Sequence, residues 1–402
     1  MFQPSHLDLL TSRRSLFAGA AGVVAATALA AGPGQLITPA AAQTTDAPAP
    51  AAPHAASAGV DWKGKESLSL GDAPLDAGKL GGLAALDVAA LPLLKNITLN
   101  VQRLAPGAAR EPHWHHSVSE LDYVIEGTGE IGIIGLDGAL TRIALEPGSV
   151  VFVPQGLTHY VANTGKAELV VAMGFNSTKT TSTGLSNNLK AFGSDRLAQM
   201  TGLSAADLTM PSDTESPTYT GFGTLPPLEP AAAALVDGAV TSANFAGISG
   251  FANEYGTAKD IDARTIPGLN RVSLSFMTLE PGTMRDAHWH PQGTELIYIE
   301  SGELEWGLQA PGKAGESSVF MAKQGQAVAL PEGWLHYAAN TGTQTARLIV
   351  LWESTAPKTI ELAGMLSVLP TELVLASAGP MMNEATASSL LGKQPRLISP
   401  GG

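Results

Sequence analysis

The stretch HWHHSVSE, His113–Glu120, returns in edited form as HWHPQGTE, His288–Glu295. Both copies keep two histidines one residue apart and a glutamate five residues further on. In an extended strand residues i and i+2 share a face, so His113 and His115 look one way and Trp114 the other. Two imidazoles side by side on an inner face are costly unless something binds them. His288 and His290 pose the same question.

Moving outward, the copying extends well beyond these eight residues. LAPGAAREPHWH, ending at His115, matches LEPGTMRDAHWH, ending at His290. PGSVVFVPQGLTHYVANTG (Pro147–Gly165) matches QGQAVALPEGWLHYAANTG (Gln324–Gly342). His113 and His288 are 175 positions apart, His159 and His336 are 177 apart, and the second copy has the longer intervening loop, QAPGKAGESS. The chain is therefore a tandem duplication, with its boundary in the Pro-rich stretch around Pro226–Ala233. We expect an N-terminal domain over 59–228 and a C-terminal one, with a helical tail, over 229–402.

Each half reads as all-β. ITLNVQRL, LDYVIEG, GEIGIIG, SVVFVP and ELVVAMGF are short β-branched runs broken by turn residues, and the second half mirrors them. Many short strands at regular spacing predict a sandwich or barrel. Helical signals follow each strand set, at SDRLAQM and in the tail after Thr359.

The candidate site follows from that pairing. His113, His115, Glu120 and His159 in one half, and His288, His290, Glu295 and His336 in the other, form matching sets. Three imidazoles and one carboxylate suit Mn, Fe, Co or Ni and leave two positions open on an octahedral ion. Six of the nine histidines occupy these positions, and His6, His54 and His116 have no counterpart. His116 is expected to face solvent.

Composition narrows the rest. Of 402 residues, 44% are hydrophobic and 15% charged, a globular balance. The absence of cysteine removes disulfides, zinc ribbons and thiol nucleophiles together. A net charge of −13 argues against non-specific binding to nucleic acid or an anionic membrane. The first 42 residues carry TSRRSLF, a mild Ala/Gly-rich run and Ala40-Ala41-Ala42, which resembles a twin-arginine export signal. Residues 43–58 then form a Pro/Ala-rich lead-in, and the mature protein is expected in the periplasm or outside the cell. That route carries folded proteins, so a metal loaded in the cytoplasm would be kept, which favours Mn over Fe.

Taken together, these motifs resemble those of the cupins. Gly107, His113, His115, Glu120 and Gly127 fit the first cupin motif, and Gly148, Pro154, Gly156, His159 and Asn163 fit the second. Gly282, His288, His290, Glu295 and Gly302, then Gly325, Pro331, Gly333, His336 and Asn340, fit again. The resemblance covers roughly residues 60–380 and implies a bicupin: two tandem jelly-roll (double-stranded β-helix) barrels with short helical extensions. Within bicupins it is similar to the oxalate decarboxylases, through REPHWH with Arg110 and RDAHWH with Arg285. That implies a Mn-dependent enzyme acting on oxalate or a similar small dicarboxylate, with O2 as co-catalyst and the two arginines holding the substrate's second carboxylate. Self-association through exposed faces and helical tails is expected.

One departure bears on the reaction. The decarboxylases' proton-relaying lid glutamate has no counterpart in GFNSTKTTSTGLSNNL, Gly174–Leu189, since no acid lies between Glu168 and Asp195. Lys179 falls near that position and would serve as acid only if buried. In the second half Glu353 or Glu361 could reach a pocket. Without an acid, the same chemistry would end as an oxidase, releasing peroxide. Bicupin oxygenases acting on larger aromatic substrates, and a non-catalytic metal- or ligand-binding role, are the remaining readings.

Overall fold

The computed structural model describes residues 62–70, 80–86, 88–89, 91–204, 206, 208, 219–226, 228, 234–312, 316–381 and 397–398. The expected export segment and the lead-in at 43–58 lie outside the described residues. Two β-barrels of antiparallel strands follow one another, each made of two facing sheets. In the N-terminal barrel one sheet runs Ser149–Val153, Glu120–Glu126, Leu169–Phe175, Thr98–Leu104, Gly81–Leu86. The other runs Ser182–Gly184, Ala108–His115, Thr158–Ala162, Gly129–Ile134, Leu140–Leu145. The C-terminal barrel repeats the plan with Gln326–Leu330, Glu295–Ser301, Ala346–Trp352, Ser273–Leu279, Gly256–Ile261 facing Ser317–Lys323, Glu303–Gln309, Leu335–Ala339, Met284–Trp289, Ile360–Glu361. The all-β jelly-roll expectation holds.

The glycines that look like mere turn residues in sequence have steric work. Tyr160 and Tyr337, one residue after the second-motif histidines, lie flat over the neighbouring strand. A Cβ on Gly132 would meet Tyr160 Cε1 at 2.1 Å, and one on Gly307 would meet Tyr337 Cε1 at 2.0 Å. Each phenol then donates to a glutamate of that strand, Glu130 at 2.6 Å and Glu305 at 2.8 Å. Gly127, at φ +85°, is boxed in by the Glu168 carbonyl, 2.2 Å from where its Cβ would sit.

The barrels exchange edge strands. Ser67–Ser69, from the first half of the sequence, pairs with Gln326–Leu330 of the second barrel. Ser242–Asn244, from the second half, pairs with Ser149–Val153 of the first. Trp62 packs edge-on against Trp334 with ring centroids 5.0 Å apart. One hydrophobic core spans both barrels, with Leu99, Leu121 and Phe152 beside Leu274, Leu296 and Val328. A second fills the interior of the first barrel around Ile131, Ile133 and Val171. Short helices follow each barrel, Leu185–Ala191 and Gly193–Thr201, then Leu362–Val368 and Thr371–Ala378. Among the described residues no helix is long and apolar enough to cross a membrane.

Candidate metal centres

His113 and His115 occupy buried alternating positions at the end of their strand. His159 pairs directly with His113 on the adjacent strand, and Glu120 enters from the facing sheet. His159 therefore stands beside the pair in the same sheet, and Glu120 is the ligand that crosses the barrel. In the second barrel His288 pairs with His336, and Glu295 faces them. Within each set the candidate ligand atoms lie within 4.8 Å of one another and every residue is buried.

Hydrogen bonding fixes the tautomers. The Nδ1 atoms of His113, His115 and His159 face the carbonyls of Glu111, Thr181 and Leu157 at 2.8, 3.0 and 3.1 Å. Those of His288, His290 and His336 face Asp286, Lys358 and Trp334 at 2.6, 2.8 and 2.9 Å. A carbonyl only accepts, so Nδ1 carries the proton in all six and Nε2 turns its lone pair inward. Yet His336 Nε2 lies 3.0 Å from His288 Nε2, and both His115 and His159 Nε2 lie near Glu120 Oε2, at 2.9 and 3.1 Å. Lone pairs converge on lone pairs, an arrangement that a shared cation relieves. His290 Nε2 and Glu295 Oε2, both buried, make no hydrogen bond, and they too fit a metal ion.

The electrostatics favour neutral imidazoles at His113 and His288 and ionised ligand carboxylates, whereas at His115 burial is outweighed by the hydrogen bond to Glu120 and its charge, which raise the imidazole. Burial, then the neighbouring His159 and Arg110, push His113 well below its ordinary range, and burial beside His336 does the same to His288. Burial raises the Glu120 carboxyl, but His159 and His115 outweigh it and hold it well below the carboxylate range. Burial likewise raises Glu295, and His290 and His336 bring it down to about 2.

Arg110 and Arg285 lie three residues before the first histidine, where strict alternation would send them outward. A β-bulge intervenes. Arg110 pairs with Val161 and His113 with His159, leaving one extra residue between them; Arg285 with Ala338 and His288 with His336 repeat the slip. The bulge restores the arginine to the histidine face. Arg285 is buried and lines a cavity of about 40 Å³ together with all four ligands, Asp260, Trp306 and Thr359. That leaves room for roughly three or four water-sized groups. A larger cleft of about 740 Å³, on the first barrel, is lined by none of the ligands.

The halves differ beside the arginine. Glu361 is paired with His288 in the strand register, and its carboxylate receives both arms of Arg285, at 2.6 and 2.7 Å. The equivalent register position opposite His113 is Gly184. A Cβ there would meet Glu111 Oε1 at 2.1 Å, because the Glu111 carboxylate turns outward to bind Ser186 N and Oγ at 3.0 and 2.9 Å. In the second half the residue matching Glu111 is Asp286, one methylene shorter, and a side chain fits. Arg110 instead donates to Ser182 Oγ at 3.0 Å.

Lys179 is exposed, so its proposed role as a buried acid is corrected. Glu353 lies at the barrel interface rather than in the cavity, bonded to Asn96 and Arg271. His116 is exposed, as expected. Sequence reading missed Phe175 and Trp352, whose rings lie edge-on to His115 and His290 at 5.0 and 4.4 Å. Aligning the two duplicated last strands would have shown an aromatic at the same place in both. It also missed Asp122, two residues after Glu120 and buried on the same strand. Burial and the Glu120 charge push its carboxyl well above the usual range.

A family model described as Cupin matches residues 71–206 and 245–379. Oxalate decarboxylase OxdC of Bacillus subtilis is 26% identical over 309 residues, covering 74% of this chain and 77% of the relative. Germin-like protein 3-8 of Oryza sativa is 32% identical over 144 residues, covering 35% of this chain and 61% of its own length. The solved structure of a single-residue mutant of the Bacillus enzyme superimposes with a TM-score of 0.75 at 20% identity, covering 83% of this chain and 89% of the other. Another structure of that enzyme is described for its Mn(II) centres.

Proposed function

The chain belongs to the cupin family, and from that premise we propose that it is a Mn-dependent bicupin enzyme that decarboxylates oxalate or a similarly small dicarboxylate. The observation that carries this reading is the second barrel's cavity, where the buried Arg285, its guanidinium held by Glu361, stands beside four converging ligand side chains. A cavity of about 40 Å³ suits a ligand of few heavy atoms and disfavours the larger aromatic substrates of bicupin oxygenases. The relatives named for oxalate decarboxylation support the substrate class.

When bound, manganese (iron being the alternative) supplies a Lewis-acid centre capable of one-electron chemistry with O2. The chain's own groups do the rest. The Arg285 guanidinium is buried and planar, and it holds the substrate's far carboxylate in a fixed orientation. Taking up that carboxylate releases Glu361 from Arg285 and leaves its carboxyl group as the proton carrier. As the C–C bond breaks and CO2 leaves, Glu361 delivers that proton to the remaining carbon, giving formate with no net change of oxidation state. Met277, Ile297 and Leu348 line the cavity and keep water from competing.

The first barrel favours a second reading for itself. It keeps the ligands and Arg110 but has Gly184 where the acid would stand, which suits an oxidase-type outcome at that centre. Export by the twin-arginine route and self-association also belong to this proposal. Phe192, Met200, Leu203, Val368, Leu373 and Met381, exposed on or beside the helical segments, supply apolar surface for a second copy. Incubating Mn-loaded protein with oxalate in air tests the function. Formate supports decarboxylation, peroxide supports the oxidase reading, and neither product favours a binding role. Metal analysis of folded protein taken from the periplasm tests the route; stoichiometric Zn or Cu would count against it.

A further inference from the structure

The residues following Phe175 and Trp352 hold the loops that carry the two ligand glutamates. Asn176 Oδ1 accepts the N–H of Ser119, immediately before Glu120, at 2.9 Å. Glu353 Oε2 lies 3.4 Å from the N–H of Thr294, immediately before Glu295, and the Glu353 N–H donates to the Thr294 carbonyl at 2.9 Å. Gly293, at φ +86°, passes so close to the Glu353 carbonyl that a Cβ would sit 2.4 Å from it.

Both side chains also reach the other half of the chain. Asn176 Nδ2 donates to the Asn270 carbonyl at 2.8 Å. Asn96 Nδ2 donates to Glu353 Oε1 at 2.7 Å, and Arg271 donates to the same oxygen at 2.7 Å. Asn96 and Arg271 stand at matching positions, two residues before Thr98 and Ser273, and both have φ 54°. That left-handed backbone is uncommon for any residue but glycine, asparagine or aspartate. Asn176 thus reaches the other half through a backbone carbonyl, whereas Asn96 and Arg271 both converge on the Glu353 carboxylate.

We propose that Asn176 and Glu353 are positioning residues for the metal glutamates, each anchored by the opposite barrel, so that the geometry of each centre depends on contact with the other half. This rests on the two clusters being metal centres. A carboxylate ligand loses affinity when the group orienting it is lost, by about 10- to 100-fold. A half-buried strand-end ion pair with no such role would contribute only modestly to stability and nothing to metal affinity.

Mn(II) titration of full-length metal-free protein separates these cases. His159→Ala leaves only the second centre and His336→Ala only the first. In the His159→Ala background, Glu353→Ala and Asn96→Asp, which sets two carboxylates against each other, are each expected to weaken Mn(II) binding about tenfold. The pair Asn96→Asp with Glu353→Gln reverses the polarity of the tie, and the double variant is expected to recover affinity to within about threefold of its parent. In the His336→Ala background the Glu353 and Asn96 variants leave Mn(II) affinity unchanged, while Asn176→Ala weakens it. Thermal midpoints of the metal-free variants show that the fold persists. Affinity within about twofold of the parent for Glu353→Ala, or equal losses in both backgrounds, overturns the proposal. A parent that binds no Mn(II) in either background overturns the metal reading along with it.

Discussion

Glu361 and Gly184 show how one methylene decides whether a carboxylate can stand beside the arginine of a barrel. The Glu111 carboxylate fills the space above Gly184, whereas Asp286 leaves room for Glu361 to reach Arg285. Glu361→Gln is expected to lower formate production about a hundredfold or more, the ordinary contribution of a positioned acid, while oxalate binds more tightly because no carboxylate competes for Arg285. Lys179→Ala, at an exposed position, should leave product formation as it was, and both are read from formate yield per bound metal. Gly184→Ala should destabilise by about 1–3 kcal/mol through overpacking, and Glu111→Asp in the same chain should recover part of it, as measured by urea midpoints. The ligands were legible because the histidines, a rare type here, and one glutamate recur in both copies at fixed spacing. The Arg285–Glu361 pair was not, because it depends on the register of a two-residue strand and on a bulge that periodicity does not reveal. Lys179 misled because alignment by distance along the chain ignores which way a loop residue faces.

Among the elements, the strands could be read from their β-branched runs and turn residues, and so could the helix at SDRLAQM, found as Gly193–Thr201. The helix Leu185–Ala191 was not read, since its LSNNLKA offers no buried face and no side-chain cap. Each barrel's second-motif strand is clamped by a tyrosine lying over a glycine. The clamp explains why HYVANTG and HYAANTG both keep their tyrosine, which the ligand logic alone does not require. Gly307→Ala would drive the Tyr337 ring off its strand and away from Glu305. We expect a loss of about 2 kcal/mol, seen as a lower urea midpoint with unchanged slope. Tyr337→Phe should cost less, about 1 kcal/mol, because only the hydrogen bond is removed. If Gly307→Ala were neutral, the close approach of ring and backbone would be incidental to the fold.

At the scale of the whole molecule, duplication suggests two independent domains, and the strand exchange argues otherwise. The second barrel completes its sheet with Ser67–Ser69, and the first borrows Ser242–Asn244. Neither exchange could be read from sequence, because three-residue edge strands such as SLS and SAN carry no periodicity of their own. The sheets between the barrels pack so closely that a Cβ on Gly174 would meet Leu351 Cδ2 at 2.0 Å. Burying the shared core requires both partners, so neither barrel exposes a finished surface when the other unfolds. Calorimetry of the full chain should therefore show one transition, with calorimetric and van't Hoff enthalpies in agreement, rather than two. Trp62→Ala provides the directional test. Trp62 precedes the first barrel in sequence but packs on Trp334 of the second, and its loss should cost about 3–5 kcal/mol. In a cooperative molecule that loss lowers the single midpoint and weakens both metal centres' resistance to heat together. Were the halves independent, the same substitution would move only the transition that carries His288, His290, Glu295 and His336, and the first centre would keep its Mn(II) to the original temperature.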